Sequence, residues 1–333
     1  MADARSPSQL LQLPPELLMQ IFQALPTLDS ALALRKASHK LDQVYMEHEK
    51  AIKKALRDTL VAPFYQYYRF LTTLHIAADS LQCPPPEGWP DVTAEEYRYR
   101  CSDFTTDVFK HLPRLDSEQN VDYKSFATGY VPEPDNGDPL GEPYFDSYYD
   151  PDDDGEDYAW DDGGDDGLIR LQQGGSGDEE EQLRLKRIVR RRYRIDIARG
   201  YESGGVALQL DTMKGLIYER IIRMDSLVHD VASYFERKQE EFIACRSVFI
   251  PDNDSTLSGY DVEPYDAEKM EKQGEPDMTD NGFGYDDDDY LWIRHLYFKF
   301  GWPAADWRKK EGLQAISDYK ERRENALNDE EEL

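Results

Sequence analysis

The chain is poor in cysteine, with Cys83, Cys101 and Cys245 at spacings that fit neither a disulfide framework nor a zinc site, which points to a reducing cytoplasmic or nuclear compartment. It has no apolar run long enough to cross a bilayer, and no apolar signal region precedes Leu10, so neither a membrane nor secretion is expected. Basic charge is scarce: 39 Lys and Arg stand against 68 Asp and Glu, a formal net charge of −29. Contacts to phosphate backbones are made largely by Lys and Arg, so nucleic acid is not an expected partner. Catalytic patterns are missing too. His39, His48, His75, His111, His229 and His295 are scattered singly, and no His-x-x-Glu-His, Gly-x-Ser-x-Gly or phosphate-loop pattern occurs. No catalytic residue, metal site or cofactor is assigned, and the chain is not expected to be an enzyme. No fixed-period repeat is present, and no segment alternates apolar and polar residues for long enough to indicate a sheet, so the expected fold class is all-α.

What is abundant is acid, and it is unevenly placed. Residues 132–182 carry a net −18 and residues 251–289 a net −12, so the rest of the chain is close to neutral. Both segments are dense in Asp, Glu, Gly and Pro, with like-charge runs at Asp152-Asp153-Asp154 and Asp286-Asp287-Asp288-Asp289. Such a composition buries too little apolar surface to offset the entropy of ordering, so both are expected to be disordered or loosely held loops. The first is interleaved with aromatics, Tyr144, Phe145, Tyr148, Tyr149, Tyr158 and Trp160 among them. It can serve as a solubilising loop lying against the chain's own basic helix, or clamp a basic protein partner. Asp150-Pro151-Asp152-Asp153-Asp154-Gly155 matches half of an EF-hand calcium loop, but the twelfth place holds Asp161 rather than Glu and no amphipathic helix flanks it.

The sharpest pattern lies near the N-terminus. Leu13 precedes Pro14, Pro15 sets φ for a first helical turn, and Glu16 places negative charge at a helix start. Leu17, Leu18, Ile21, Phe22 and Leu25 then gather on one broad apolar face before Pro26 stops the helix. A second helix is expected from Thr27 to Ala37, capped by Thr27 or Asp29, and a third from about Ser38 to Leu56 with Leu41, Val44, Tyr45, His48, Ile52 and Leu56 at helical spacing.

The run Leu-Pro-x-Glu-Leu-Leu-x-x-Ile-Phe-x-x-Leu followed by two further helices resembles an F-box, in the form common in filamentous-fungal F-box proteins. The resemblance covers residues 10 to about 56. It implies docking on the Skp-type adaptor, and through it the cullin, of a Skp–cullin–F-box ubiquitin ligase. By position, Leu13, Pro14, Leu17, Leu18 and Ile21 would meet the adaptor first, with Phe22, Leu25, Leu34, Leu41 and Val44 in the module's core or at the edge of that contact. Leu41 stands where many members of the family carry Trp or Phe. The function implied is substrate recognition: the F-box binds the adaptor and the remainder holds an unknown protein substrate. Two alternatives use the same residues differently, a non-ligase F-box scaffold and an acidic module that sequesters a basic protein.

The expected organisation is an F-box over 8–58, helical regions over 59–131, 183–250 and 290–327, and acidic loops over 132–182 and 251–289. Within these, Phe64 to Ala78 reads as a helix ended by the Cys83-Pro84-Pro85-Pro86 break. Thr93-Ala94-Glu95-Glu96 offers a capping box for a helix through Leu112. Leu183 to Arg199 reads as a helix with a basic face, for which a nuclear-signal role is a competing reading, and Val206 to Ile243 reads as one long helix or two meeting near Gly215 or Asp225. Gly301-Trp302-Pro303 turns into a last helix from Ala304 to about Ala326.

Overall fold

A computed structural model describes residues 9–97, 101–115, 120–122, 125–127, 192–200, 205–221, 227–251, 255–259, 263–276 and 285–331. The acidic segment 132–182, with its half calcium loop, and the basic run up to residue 191 lie outside these residues.

The N-terminal helices form as their caps dictate. After a 3₁₀ turn at Gln9–Gln12, α1 spans Pro15–Gln23, α2 spans Leu28–Lys36 and α3 spans His39–Leu74. Thr27 and Ser30 make a reciprocal capping box, and Ser38 Oγ accepts from Leu41 N at 3.2 Å. The third helix runs well past Leu56: it bends at His48, whose φ of −117° and ψ of 15° are non-helical, and continues through Pro63. Proline removes one intrahelical hydrogen bond. The buried stripe Ile52, Leu56, Leu60, Phe64, Tyr67, Leu71 and Leu74 runs unbroken across Pro63, and that packing keeps the segment beyond the His48 kink helical to Leu74. Lys309 closes its far end, donating to the carbonyls of Thr72 at 2.7 Å and Ile76 at 2.6 Å.

The all-α expectation is wrong, because the middle of the chain is a sheet. Six antiparallel strands run in chain order, β3 (Asn120–Asp122), β4 (Ser125–Ala127), β5 (Arg194–Gly200), β6 (Val206–Asp211), β7 (Leu216–Ile221) and β8 (Leu227–Asp230). Two small ladders accompany it, β1 (Leu81–Gln82) with β2 (Arg114–Leu115), and β9 (Ser247–Ile250) with β10 (Ser255–Ser258). The expected basic-faced helix ending at Arg199 is strand from Arg194 onward, and the expected long helix 206–243 is helical only over α6, Val231–Ile243. The reason is burial on both faces. In β6 all residues but Gln209 are buried, so apolar residues crowd the strand, the period of two is masked, and a 3.6-residue period can be drawn through it. The break that decides the matter is the turn Asp211 to Gly215. Asp211 Oδ1 accepts from Met213 N at 3.0 Å and Lys214 N at 2.9 Å, and Gly215 takes a φ of +66°.

The region 93–112 is also broken in two, α4 (Ala94–Tyr97) and α5 (Asp103–His111), with Ser102 Oγ capping Thr105 N at 3.1 Å. The second acidic segment is not uniformly loose. It holds β10, α7 (Ala267–Gln273) and the start of α8 (Asp287–Lys299). Its run of four aspartates is a helix N-terminus, where carboxylates are favoured by unpaired N–H groups and the helix dipole. Asp286 accepts from the backbone N–H of Asp288 and Asp289 at 2.9 Å, and Asp289 is 3% exposed, paired with Arg323 at 2.6 Å and accepting from the Tyr319 hydroxyl. The final helix, α9, spans Lys309–Glu331. Among the described residues no helix is long and apolar enough to cross a membrane.

One buried cluster joins these parts, from Leu18 in α1 to Tyr319 in α9. The β6–β7 turn is lodged against the N-terminal helices: Asp29 N donates to Met213 O at 3.0 Å, and a Cβ on Gly215 would meet Thr27 Cγ2 at 3.2 Å and Leu60 Cδ1 at 3.8 Å. Further along α3, Phe64 and Tyr67 each hold Phe235 of α6 at 4.8 Å between ring centroids.

Candidate functional site

The ten positions that the resemblance assigns to adaptor docking separate into three groups. Leu18 and Phe22 are fully buried, Leu41 and Val44 are 1% and 3% exposed, and these four form the interior where α1 crosses α3. Phe22 packs edge-on against Tyr45 at 5.6 Å. Leu13, Ile21, Leu25 and Leu34 are half-buried and lean on that interior. Pro14 is exposed and Leu17 is 43% exposed, high for a leucine beside a residue as buried as Leu18. Helix geometry accounts for the contrast. Adjacent residues point about 100° apart, so a broad apolar face on α1 is wider than the contact α3 makes with it.

Side chains outside the ten set the position of this face. Lys40 Nζ donates to the carbonyls of Leu11 at 2.8 Å and Leu13 at 2.9 Å, tying the 3₁₀ turn and the Leu13-Pro14 entry onto α3. Arg35 bridges α2 to α3 through Asp42 at 2.6 Å and stacks over the Tyr45 ring at 5.1 Å. Neither role is legible in the sequence, where both residues stand in a polar stretch with no marked spacing. At the α2 start, burial raises the Asp29 carboxyl above its usual range, with Lys214 and Lys36 opposing the shift. Asp29 thus marks the desolvated seam between the helical module and the sheet turn.

Among the described residues no group of three or more His, Cys, Asp or Glu is placed to hold a metal ion. Cys101 and Cys245 are buried and neither forms a disulfide, and burial pushes the Cys245 thiol up to about 12. A thiol held that far above neutral pH is a poor nucleophile. The candidate calcium loop and the basic run Arg184 to Arg191 lie outside the described residues. No protein-family model, curated protein or solved structure matches the chain.

Proposed function

We propose that the chain is the substrate-recognition subunit of a Skp–cullin–F-box type ubiquitin ligase, acting in the cytoplasm or nucleus, with the outer face of α1 docking the Skp-type adaptor. The observation that carries this reading is the contrast of neighbours on one helix: Leu18 is 0% exposed while Leu17 is 43% exposed, next to exposed Pro14. The module's own packing uses one side of the apolar face and leaves the other side free for a partner. The chain's contribution would be proximity, holding a target protein near the transferring enzyme rather than making or breaking bonds itself. The kinked α3 serves that purpose, since it runs from the docking module to its contact with α6 through a shared core.

The test is a pull-down of the purified full chain with a Skp-type adaptor, wild type beside Leu17→Asp. A carboxylate buried in the contact without a partner costs several kcal/mol, so binding is expected to vanish. Unchanged circular dichroism is expected of the variant because Leu17 lies outside the core. A folded wild type that does not bind removes the reading. Binding without ubiquitin-dependent turnover of an associated protein favours the non-ligase scaffold.

A further inference from the structure

The part of the second acidic segment that includes α7 is seated on α8 by three residues of that helix. Arg294 donates to the Glu263 carbonyl at 3.0 Å, the Tyr265 ring stacks on Phe298 at 4.3 Å between centroids, and the Tyr265 hydroxyl meets His295 Nδ1 at 2.9 Å. His295 is 1% exposed, and burial, with the charge of Lys299, holds its imidazole below the usual range against the opposing pull of Glu271. A neutral ring can accept the hydroxyl's hydrogen bond at Nδ1. Pro264 fixes its own φ and keeps Glu263 extended, which sets the spacing from the carbonyl held by Arg294 to the ring held by Phe298. The Glu263 carboxylate pairs within the segment, with Lys269 at 3.3 Å. What α8 reads is therefore a carbonyl, a proline spacer and a tyrosine. Beyond these contacts, α7 buries only Met270, and Glu275 makes a part-exposed pair with Arg322 at 2.9 Å. A segment with so few buried groups opens at low free-energy cost.

The same three features occur once more in the sequence. Pro-Tyr is found twice in the chain, both times as Glu-Pro-Tyr with an aspartate close behind: Glu263-Pro264-Tyr265-Asp266, and Glu142-Pro143-Tyr144-Phe145-Asp146 in the first acidic segment. Every group that α8 contacts in the first copy is present in the second, which lies outside the described residues. The chain is long enough to bring it to α8. Tyr144 stands 17 positions after Ala127, the last described residue before it, and that length spans up to about 60 Å when extended. A compact chain of this size has a radius of gyration of about 20 Å. The charges agree as well: residues 132–182 carry a net −18, and α8 places the basic groups Arg294 and Lys299 beside His295.

We propose that Arg294, His295 and Phe298 form a receptor for Pro-Tyr in acidic sequence, that residues 263–274 fill it as a displaceable strap, and that Glu142-Pro143-Tyr144 of the same chain exchanges with the strap. This stands whether or not α1 docks an adaptor. The test uses the full chain carrying Tyr144→Ala/Tyr265→Ala, which removes both occupants, and a fluorescein-labelled peptide of residues 139–147 read by anisotropy. Unchanged circular dichroism is expected of the variant, because Tyr265 is only half-buried. Saturable binding to the variant is expected, with binding to the wild type at least about tenfold weaker because its receptor is filled. Tyr144→Ala in the peptide, or Phe298→Ala added to the chain, should weaken binding by at least about tenfold, in the range of losing an interface anchor. No saturable binding by the folded double variant overturns the receptor, as does binding that survives Tyr144→Ala in the peptide. Equal binding by the wild type overturns the strap. The exchange is read separately, by amide hydrogen exchange over residues 266–274 of the full chain. Tyr144→Ala alone should raise protection there and Tyr265→Ala alone should lower it. Unchanged protection in Tyr144→Ala overturns the exchange, and an effect that fades on dilution overturns its taking place within one chain.

Discussion

The N-terminal helices and the central sheet are both built from closely spaced apolar residues, yet only the first announces its structure. Along α1 and α3 the buried positions recur at helical spacing because one side of each helix is core and the other is wet. In β6 and β7 both sides of the strand are covered: Leu208, Leu210 and Ile217 bury one face, while Ala207 and Tyr218 bury the other. A periodic pattern reports the contrast between two environments, and where the contrast disappears so does the period. The seam at Thr27, Asp29, Met213 and Gly215 then makes these two differently encoded regions one packing unit.

That comparison can be broken most forcefully inside the helical module. Phe22→Ala removes a fully buried ring from its contact with Tyr45 and is expected to cost about 3–5 kcal/mol in denaturant unfolding, whereas exposed Leu17→Asp should cost under about 1 kcal/mol. Similar costs for the two would mean that the α1 face is not divided into inner and outer halves. Gly215→Val tests the seam. A β-branched residue at a φ of +66°, with its Cβ about 3.2 Å from Thr27, is expected to lose roughly 1–3 kcal/mol. The loss should move far-ultraviolet helix and sheet signals together in one transition. Separate transitions would show that the two regions fold independently.

The smallest effect concerns the turn carboxylate. Burial is the largest influence on Asp211 and raises its carboxyl above the usual range, even though Lys214 N, Arg194, the Lys214 charge and Met213 N all favour ionisation. An acid whose folded value is raised is penalised in its charged form, so its cost to the fold is full at neutral pH and fades as pH falls toward the carboxylate range. Asp211→Asn, which keeps a carbonyl acceptor for Met213 N and Lys214 N, is therefore expected to raise the urea midpoint at pH 7 and to lose that advantage near pH 4. An advantage independent of pH would assign the effect to geometry rather than charge.

Much of the helical module was legible because its signals are local. Pro15, the Thr27 cap and the Ser38 start appear within a few residues of where the chain uses them. The full length of α3 was not legible: the expected helix stops at about Leu56, whereas the buried stripe from Ile52 to Leu74 and the packing of Phe64 and Tyr67 on Phe235 carry the helix on through Pro63. The second acidic segment misled in the opposite direction. Four successive aspartates are self-repelling in isolation, but Asp286 and Asp289 find backbone N–H groups and Asp289 finds Arg323, 34 positions downstream.

The sequence by itself determined where helices begin in the N-terminal third, which of their residues are apolar enough to be core, and where the acid is concentrated. Local backbone sterics, capping and hydrophobic spacing act over a few residues and need no fold to be read. Only the tertiary structure decided that Leu17 stays outside while Leu18 goes in, that 206–211 and 216–221 pair as strands, and that the turn after the proline run is fastened to α5 through Trp89. Each of those outcomes depends on which distant surface covers a residue, and burial on one face or on both is a property of the packed chain rather than of any segment in it.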